Sequence, residues 1–195
     1  MSTPVAMQIV HELILGGAKS GKSRCAEHRA AAWLAADASR RATLVATALP
    51  GDAEMAGRIA RHRADRAARL PALETVEAPR ALADTLRRHM APERLLVVDC
   101  LTLWLTQCLL PPDGAPLDAA AWAHERTALL DALRDSVSPV VLVSNEIGLG
   151  VMPLAAEARA CIDTLGLLHQ AVAERCTRVT LMVAGCELRV KDAAR

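Results

Sequence analysis

The stretch that most limits what this chain can become is Gly16-Gly-Ala-Lys-Ser-Gly-Lys-Ser23. An apolar run from Ile9 to Leu15, reading as a buried strand, leads into it, and the helix-prone stretch Arg24 to Ala36 follows at once. Strand, glycine loop and helix in that order are the setting in which G-x-x-x-x-G-K-[ST] becomes a phosphate loop. The glycines let the backbone curl so that successive N–H groups point inward at phosphate oxygens. The helix behind adds the positive end of its dipole. Lys22 then reaches the β/γ-phosphates and the Ser23 hydroxyl holds Mg²⁺. The bland alternative, a chance glycine-rich turn, does not account for the flanks.

Composition narrows the partners. With 195 residues the chain, 1–195, reads as a single domain large enough for a full core. Its hydrophobic content is 52%, and without any Phe or Tyr the core falls to Leu, Val, Ala and Ile. A net charge of +1 argues against a nucleic-acid surface, and three scattered Trp leave few platforms for stacking bases. The six Cys at 25, 100, 108, 161, 176 and 186 form no C-x-x-C or Cys/His pair at zinc spacing. Several sit in apolar runs as small hydrophobes, which suggests a reducing compartment. Residues 1–8 lack the basic start and apolar middle of a signal peptide, and no apolar run nears the ~20 residues that span a bilayer. The expectation is a cytoplasmic protein with no membrane span.

Along the chain, apolar strands alternate with helices. Strands are expected over Ala42–Thr47, Leu73–Val76, Leu95–Asp99, Val140–Ser144 and Val179–Ala184, with an edge strand over Cys186–Val190. Helices are expected over Glu54 to about Arg69, from Pro79 to near His89, over Leu101–Leu110, from a cap at Asp118 to Val137, and over Ala155–Cys176. The turn Leu49-Pro-Gly-Asp52 joins the second strand to its helix. The pattern means a mostly parallel sheet with helices on both faces, an α/β P-loop NTPase fold.

Two residues outside the loop carry chemistry. Asp99 ends an apolar strand, where a P-loop protein places the acid of its Mg²⁺ shell; the competing reading is a cap for the next helix. His62 shares a helix face with Met55 and Ile59, which places it on the buried side or its margin. It is then either a satisfied, half-buried histidine on an arginine-studded helix, with Asp65 pairing Arg61 and Arg69, or a nucleophilic imidazole beside cations that bind a polyphosphate. The residues alone favour the first.

A resemblance changes that balance. The glycine loop, Ala46-Thr47, Asp52-Ala-Glu-Met-Ala-Gly-Arg-Ile-Ala-Arg-His62 and Val141-Leu-Val-Ser-Asn-Glu-Ile-Gly-Leu-Gly-Val-Met-Pro153 resemble the bifunctional adenosylcobinamide kinase/adenosylcobinamide-phosphate guanylyltransferases of cobalamin biosynthesis. The likeness runs from Leu13 to Lys191. It implies two reactions: transfer of the γ-phosphoryl of ATP or GTP to the aminopropanol hydroxyl of adenosylcobinamide, then transfer of GMP from GTP, through a guanylyl-histidine, to give adenosyl-GDP-cobinamide. His62, the only His in the matching segment, inherits the nucleophile role, and Lys22 a catalytic one. The resemblance assigns nucleotide binding to Gly16, Gly17, Ala18, Lys19, Ser20, Gly21, Lys22, Ser23, Ala46, Thr47, Ala48, Arg63, Ala64, Asp65, Arg66, Glu77 and Asp99. Ser23 and Asp99 hold Mg²⁺, and Asn145 and Glu146 form a substrate rim. Arg58, Arg61 or Arg63 would neutralise phosphate charge. It also implies a homo-oligomer, a trimer.

The chain departs from the family in places. Where members often carry His-His, Arg61 precedes His62, and about three extra residues separate His62 from Glu77. A C-terminal pattern R-D-x-x-G-x-x-N-Q reads Ile162-Asp163-Thr-Leu-Gly166-Leu-Leu-His169-Gln170, without the Arg and the Asn. Two other readings stand beside the bifunctional enzyme. One is a plain P-loop small-molecule kinase with a structural His62. The other is a nucleotide-dependent switch, which needs a partner-sized apolar patch that the sequence does not display.

Overall fold

In the computed structural model, residues 9–50 and 53–192 are described. Residues 1–8 and the Gly51-Asp52 part of the expected turn lie outside them, as do the Met55 and Arg58 side chains. The strands are β1 (His11–Gly16), β2 (Arg41–Ala46), β3 (Leu73–Glu77), β4 (Arg94–Asp99), β5 (Val140–Val143), β6 (Arg178–Val183) and β7 (Cys186–Asp192). The helices are α1 (Lys22–Ala35), α2 (Ala53–Arg69), α3 (Leu82–His89), α4 (Leu101–Leu109), α5 (Ala119–Arg134) and α6 (Ala156–Arg175). One sheet runs in the order β3-β2-β4-β5-β1-β6-β7, parallel except for β7, which folds back antiparallel on β6. This is the α/β architecture expected, with most boundaries within one or two residues.

The apolar runs build it. Leu13, Leu96, Val98, Val140 and Leu142 turn to one face of the sheet, under α3, α4, α5 and α6. Ile14, Leu44, Val97, Val141 and Val143 turn to the other, under the small residues Cys25, Ala26 and Ala30 of α1. Trp104 and Trp122 lie within the first layer, their ring centroids 5.2 Å apart, which removes both from the surface.

Two boundaries shift for visible reasons. Pro79 does not open α3, which begins at Leu82. The Arg80 carbonyl accepts the Trp104 indole N–H at 2.8 Å, and the Arg80 guanidinium donates to the Gln107 and Ala115 carbonyls, so this backbone is held in a bend. Asp118 caps α5 as expected, accepting the Ala121 N–H at 2.8 Å, but the helix stops at Arg134. Beyond it Ser136 and Ser138 bond each other and Ser138 ties to the Ala91 backbone, turning the chain before Val137 can extend the helix.

One buried histidine keys the sheet to α5. The Val140 N–H donates to His11 Nδ1 at 3.2 Å, and His11 Nε2 lies 3.0 Å from the Leu133 carbonyl. A carbonyl only accepts, so Nε2 carries the proton and the ring is neutral. Burial holds the His11 pKa below its usual value.

Candidate active site

The carboxyl ends of the strands form one rim. Register aligns Glu77, Ala46 and Asp99 at the ends of β3, β2 and β4, Asp99 faces Val143 of β5, and Gly16 ends β1. In an open parallel sheet ligands sit beyond this rim.

Gly16 to Ser23 adopt the conformation a phosphate loop requires. Gly16 has φ 153° and Gly21, the N-cap of α1, φ 101°. A Cβ on Gly16 would lie 2.6 Å from both the Met182 carbonyl and Ser20 Oγ, so no larger residue fits. Gly17, Ala18 and Lys19 are exposed, whereas Ser20 is buried. The hairpin turn between β6 and β7 braces the loop, the Gly185 N–H donating to the Ser20 carbonyl at 3.0 Å. Lys22 is buried and curls back over the loop, donating from Nζ to the Gly17 carbonyl at 2.6 Å. An ammonium held across the loop mouth is where a polyphosphate places its charge.

Ser23 and Asp99 lie near each other: Arg66, His62 and the Ser23 hydroxyl all stand close enough to the Asp99 carboxyl to draw its pKa down. Burial outweighs them, and the Asp99 pKa ends above the usual carboxylate range. Asp99 does not cap α4: the N-cap is Cys100, with no side-chain cap bond. The cap reading of Asp99 therefore fails. Hydroxyl and carboxylate oxygens side by side suit Mg²⁺, which takes few protein ligands and fills its shell with phosphate oxygens and water. Among the described residues no three His, Cys, Asp or Glu side chains gather as a metal cage, so nucleotide oxygens would have to complete such a shell.

The sequence misplaced His62 with respect to solvent. Its side chain is exposed, not on a buried face; Ile59 is only half-buried, and Arg66 is the one buried residue among those described in α2. α2 is strongly polar overall and amphipathic, and the face it buries is not the one that carries His62. Arg69 also goes elsewhere than expected. It grips the buried Glu27 of α1 with two bonds of 2.9 and 3.1 Å rather than settling on Asp65, since a buried carboxylate demands a partner. Arg63 pairs with Glu77, while Ala64 and Asp65 face solvent. The rim thus brings Ser23, His62, Arg66 and Asp99 together, with Arg63 and Glu77 beside them.

Ala46 and Ala48 are half-buried at the rim, while the Thr47 side chain is committed inward: its hydroxyl donates to the Cys100 carbonyl at 2.7 Å and accepts the Cys100 N–H at 2.8 Å. Thr47 fixes the segment after Asp99.

On the far side of the loop the sequence had given Asn145 and Glu146 no partners. The Glu146 N–H donates to the Gly16 carbonyl at 2.9 Å. His169 Nε2 lies 2.8 Å from Ser144 Oγ, Ser144 Oγ lies 3.0 Å from Thr102 Oγ1, and the Asn145 N–H donates to Thr102 at 2.8 Å. His169 Nδ1 faces Glu146 at 3.7 Å. Burial lowers the His169 pKa, and Glu146 opposes that shift. Neither Ser144 nor Thr102 carries a sequence signal for this; only His169 stood out, as a departure. Ile162 and His169, the two departures in α6, line one pocket together with Glu146.

The sheet order and the glycine loop ahead of α1 define a P-loop fold of the nucleotide-binding kind. The sequence profile described as cobinamide kinase / cobinamide phosphate guanyltransferase matches residues 12–190, and the chain belongs to that family of bifunctional transferases of adenosylcobalamin biosynthesis. It is 50% identical to the bifunctional adenosylcobalamin biosynthesis protein CobP of Pseudomonas aeruginosa over 182 residues, covering 93% of this chain and 98% of that one. The CobU proteins of Escherichia coli and Salmonella typhimurium, which bear the same bifunctional description, are 32% and 34% identical over 188 residues, covering 92% of this chain and 98% of each.

Proposed function

We propose that the chain performs both family reactions at this one rim, with His62 as the guanylylated nucleophile. The observation that carries the reading is the exposed imidazole of His62 beside Asp99 and Arg66, across from the phosphate loop. In the kinase step the loop amides and Lys22 hold the terminal phosphates of ATP or GTP while the aminopropanol hydroxyl of adenosylcobinamide takes the γ-phosphoryl. Ser23 and Asp99 would hold Mg²⁺, which would supply charge neutralisation at the phosphates.

In the second step a ring nitrogen of His62 attacks the α-phosphorus of GTP. The bond to the β-phosphate oxygen breaks, pyrophosphate leaves, and the imidazole proton passes to solvent. A phosphate oxygen of adenosylcobinamide phosphate then attacks the same phosphorus. The P–N bond breaks, adenosyl-GDP-cobinamide departs and His62 is restored. Arg66 and Arg63, on the same helix as His62, would offset charge on the α-phosphate, and exposure of His62 would leave room for the corrinoid phosphate. A cytoplasmic homo-oligomer, a trimer on the family's pattern, belongs to this proposal and is read by sedimentation. Among the described residues no helix is long and apolar enough to cross a membrane.

The test is product analysis with adenosylcobinamide, ATP and GTP. Wild type should yield adenosyl-GDP-cobinamide, and His62→Ala should stop at adenosylcobinamide phosphate with its kinase rate within about threefold. A His62→Ala enzyme that still makes the GDP derivative would remove His62 from the chemistry.

A further inference from the structure

The phosphate loop has a second flank, away from α2, where Glu146 is tied to Gly16. There a pocket of about 440 Å³ opens between the 146–152 loop and α6. Ile147, Met152, Ile162 and Leu167 make its apolar wall, Glu146 and Asp163 are its charged groups, and no Lys or Arg lines it. Beyond the mouth the loop holds Leu149 80%, Val151 98% and Leu154 97% exposed. The chain therefore does present an apolar patch, contrary to the sequence reading.

Carboxylates without cations repel a polyphosphate, so this flank suits the other substrate. Adenosylcobinamide has the opposite chemistry. Cobalt(III) balanced by the monoanionic corrin and the adenosyl carbanion leaves one positive charge, on a macrocycle with apolar faces and an amide-bearing edge. It is too large to sink into the pocket, so an edge enters while a ring face spreads on the strip. We propose that this pocket and the 147–154 strip are the corrinoid acceptor subsite of the kinase step, an inference that rests on the function proposed above. From here the aminopropanol hydroxyl approaches a γ-phosphoryl held at the loop from the β5 side. Its oxygen forms the new P–O bond, the bond from the γ-phosphorus to the β,γ-bridging oxygen breaks, the nucleoside diphosphate leaves, and the hydroxyl proton passes to water.

Two variants test the subsite. A Cβ at Gly166 meets nothing within 4 Å, so Gly166→Phe has room to enter the pocket, and Asp163→Lys reverses its charge. In each, the KM for adenosylcobinamide should rise roughly tenfold or more. Labelling of the protein by α-phosphate-labelled GTP alone and the sedimenting mass should match wild type. An unchanged KM for the corrinoid overturns the subsite. So does a fall in mass in either variant, which would assign the strip to a second copy of the chain. Failure of wild type itself to phosphorylate adenosylcobinamide would instead reject the function on which the subsite rests.

Discussion

In the proposed function, Asp99 and Lys22 are single side chains whose stability cost is set against a binding role. Burial raises the Asp99 pKa, so the unfolded chain ionises first as pH rises. Ionised Asp99 then costs the ligand-free fold stability, absent below the usual carboxylate range and growing as pH passes through the raised value. Asp99→Asn should therefore melt roughly 2–4 °C above wild type at pH 7, with the difference shrinking as pH falls towards 4, while losing its response to Mg²⁺ with nucleotide. A lower melting temperature at pH 7 would contradict this account of Asp99. Lys22→Ala should weaken GTP by at least about tenfold in calorimetric titration with an unaltered circular-dichroism spectrum. Unchanged affinity would take Lys22 off the phosphates. These residues were legible because a phosphate loop fixes spacing along the chain. The exposure of His62 was not: it depends on how α2 seats against the rim, and the amphipathic pattern of α2 did not place His62 relative to solvent.

At the scale of elements, the buried parallel strands were read almost to the residue, because a strand covered on both faces is a continuous apolar run bounded by turn residues. Errors came where side chains from elsewhere take over backbone groups, as Trp104 does at Arg80 and the serines do after Arg134. The links from α5 to β1 and β5 through His11 left no pattern at all, since a histidine in an apolar strand does not announce its tautomer. That link predicts a pH response. The folded His11 pKa lies below 6.5, so the stabilisation is complete above about pH 6.5 and drains as pH falls through the lowered value, the unfolded chain taking up the proton first. His169 behaves in the same sense. Urea midpoints should drop from pH 8 to pH 5, with a shallower drop in His11→Gln; equal slopes in the two proteins would take His11 out of the link. At the other end of α5, Asp118→Ala should cost about 1 kcal/mol, measured by urea unfolding.

For the molecule as a whole, the sheet order lines up along one rim groups that are far apart in the chain, which is why the P-loop alone pointed to the rim on which the proposed site lies. The family likeness supplied roles, and the rim supplied the neighbours: Ser23 on Asp99, Arg66 and His62 beside it, Glu146 on Gly16. What neither composition nor periodicity carried is the split of the rim into a cationic flank on α2 and an acidic, apolar flank on α6, because that split arises only when loop 147–154 and α6 are brought together. In the proposed function both flanks serve one loop, and its central claim is that His62 on the first flank becomes covalently guanylylated. Incubation with GTP labelled at the α-phosphate and Mg²⁺, followed by denaturation, measures this most directly. The account predicts an acid-labile, alkali-stable label on wild type and none on His62→Ala; an unlabelled wild-type protein that still binds GTP would contradict it.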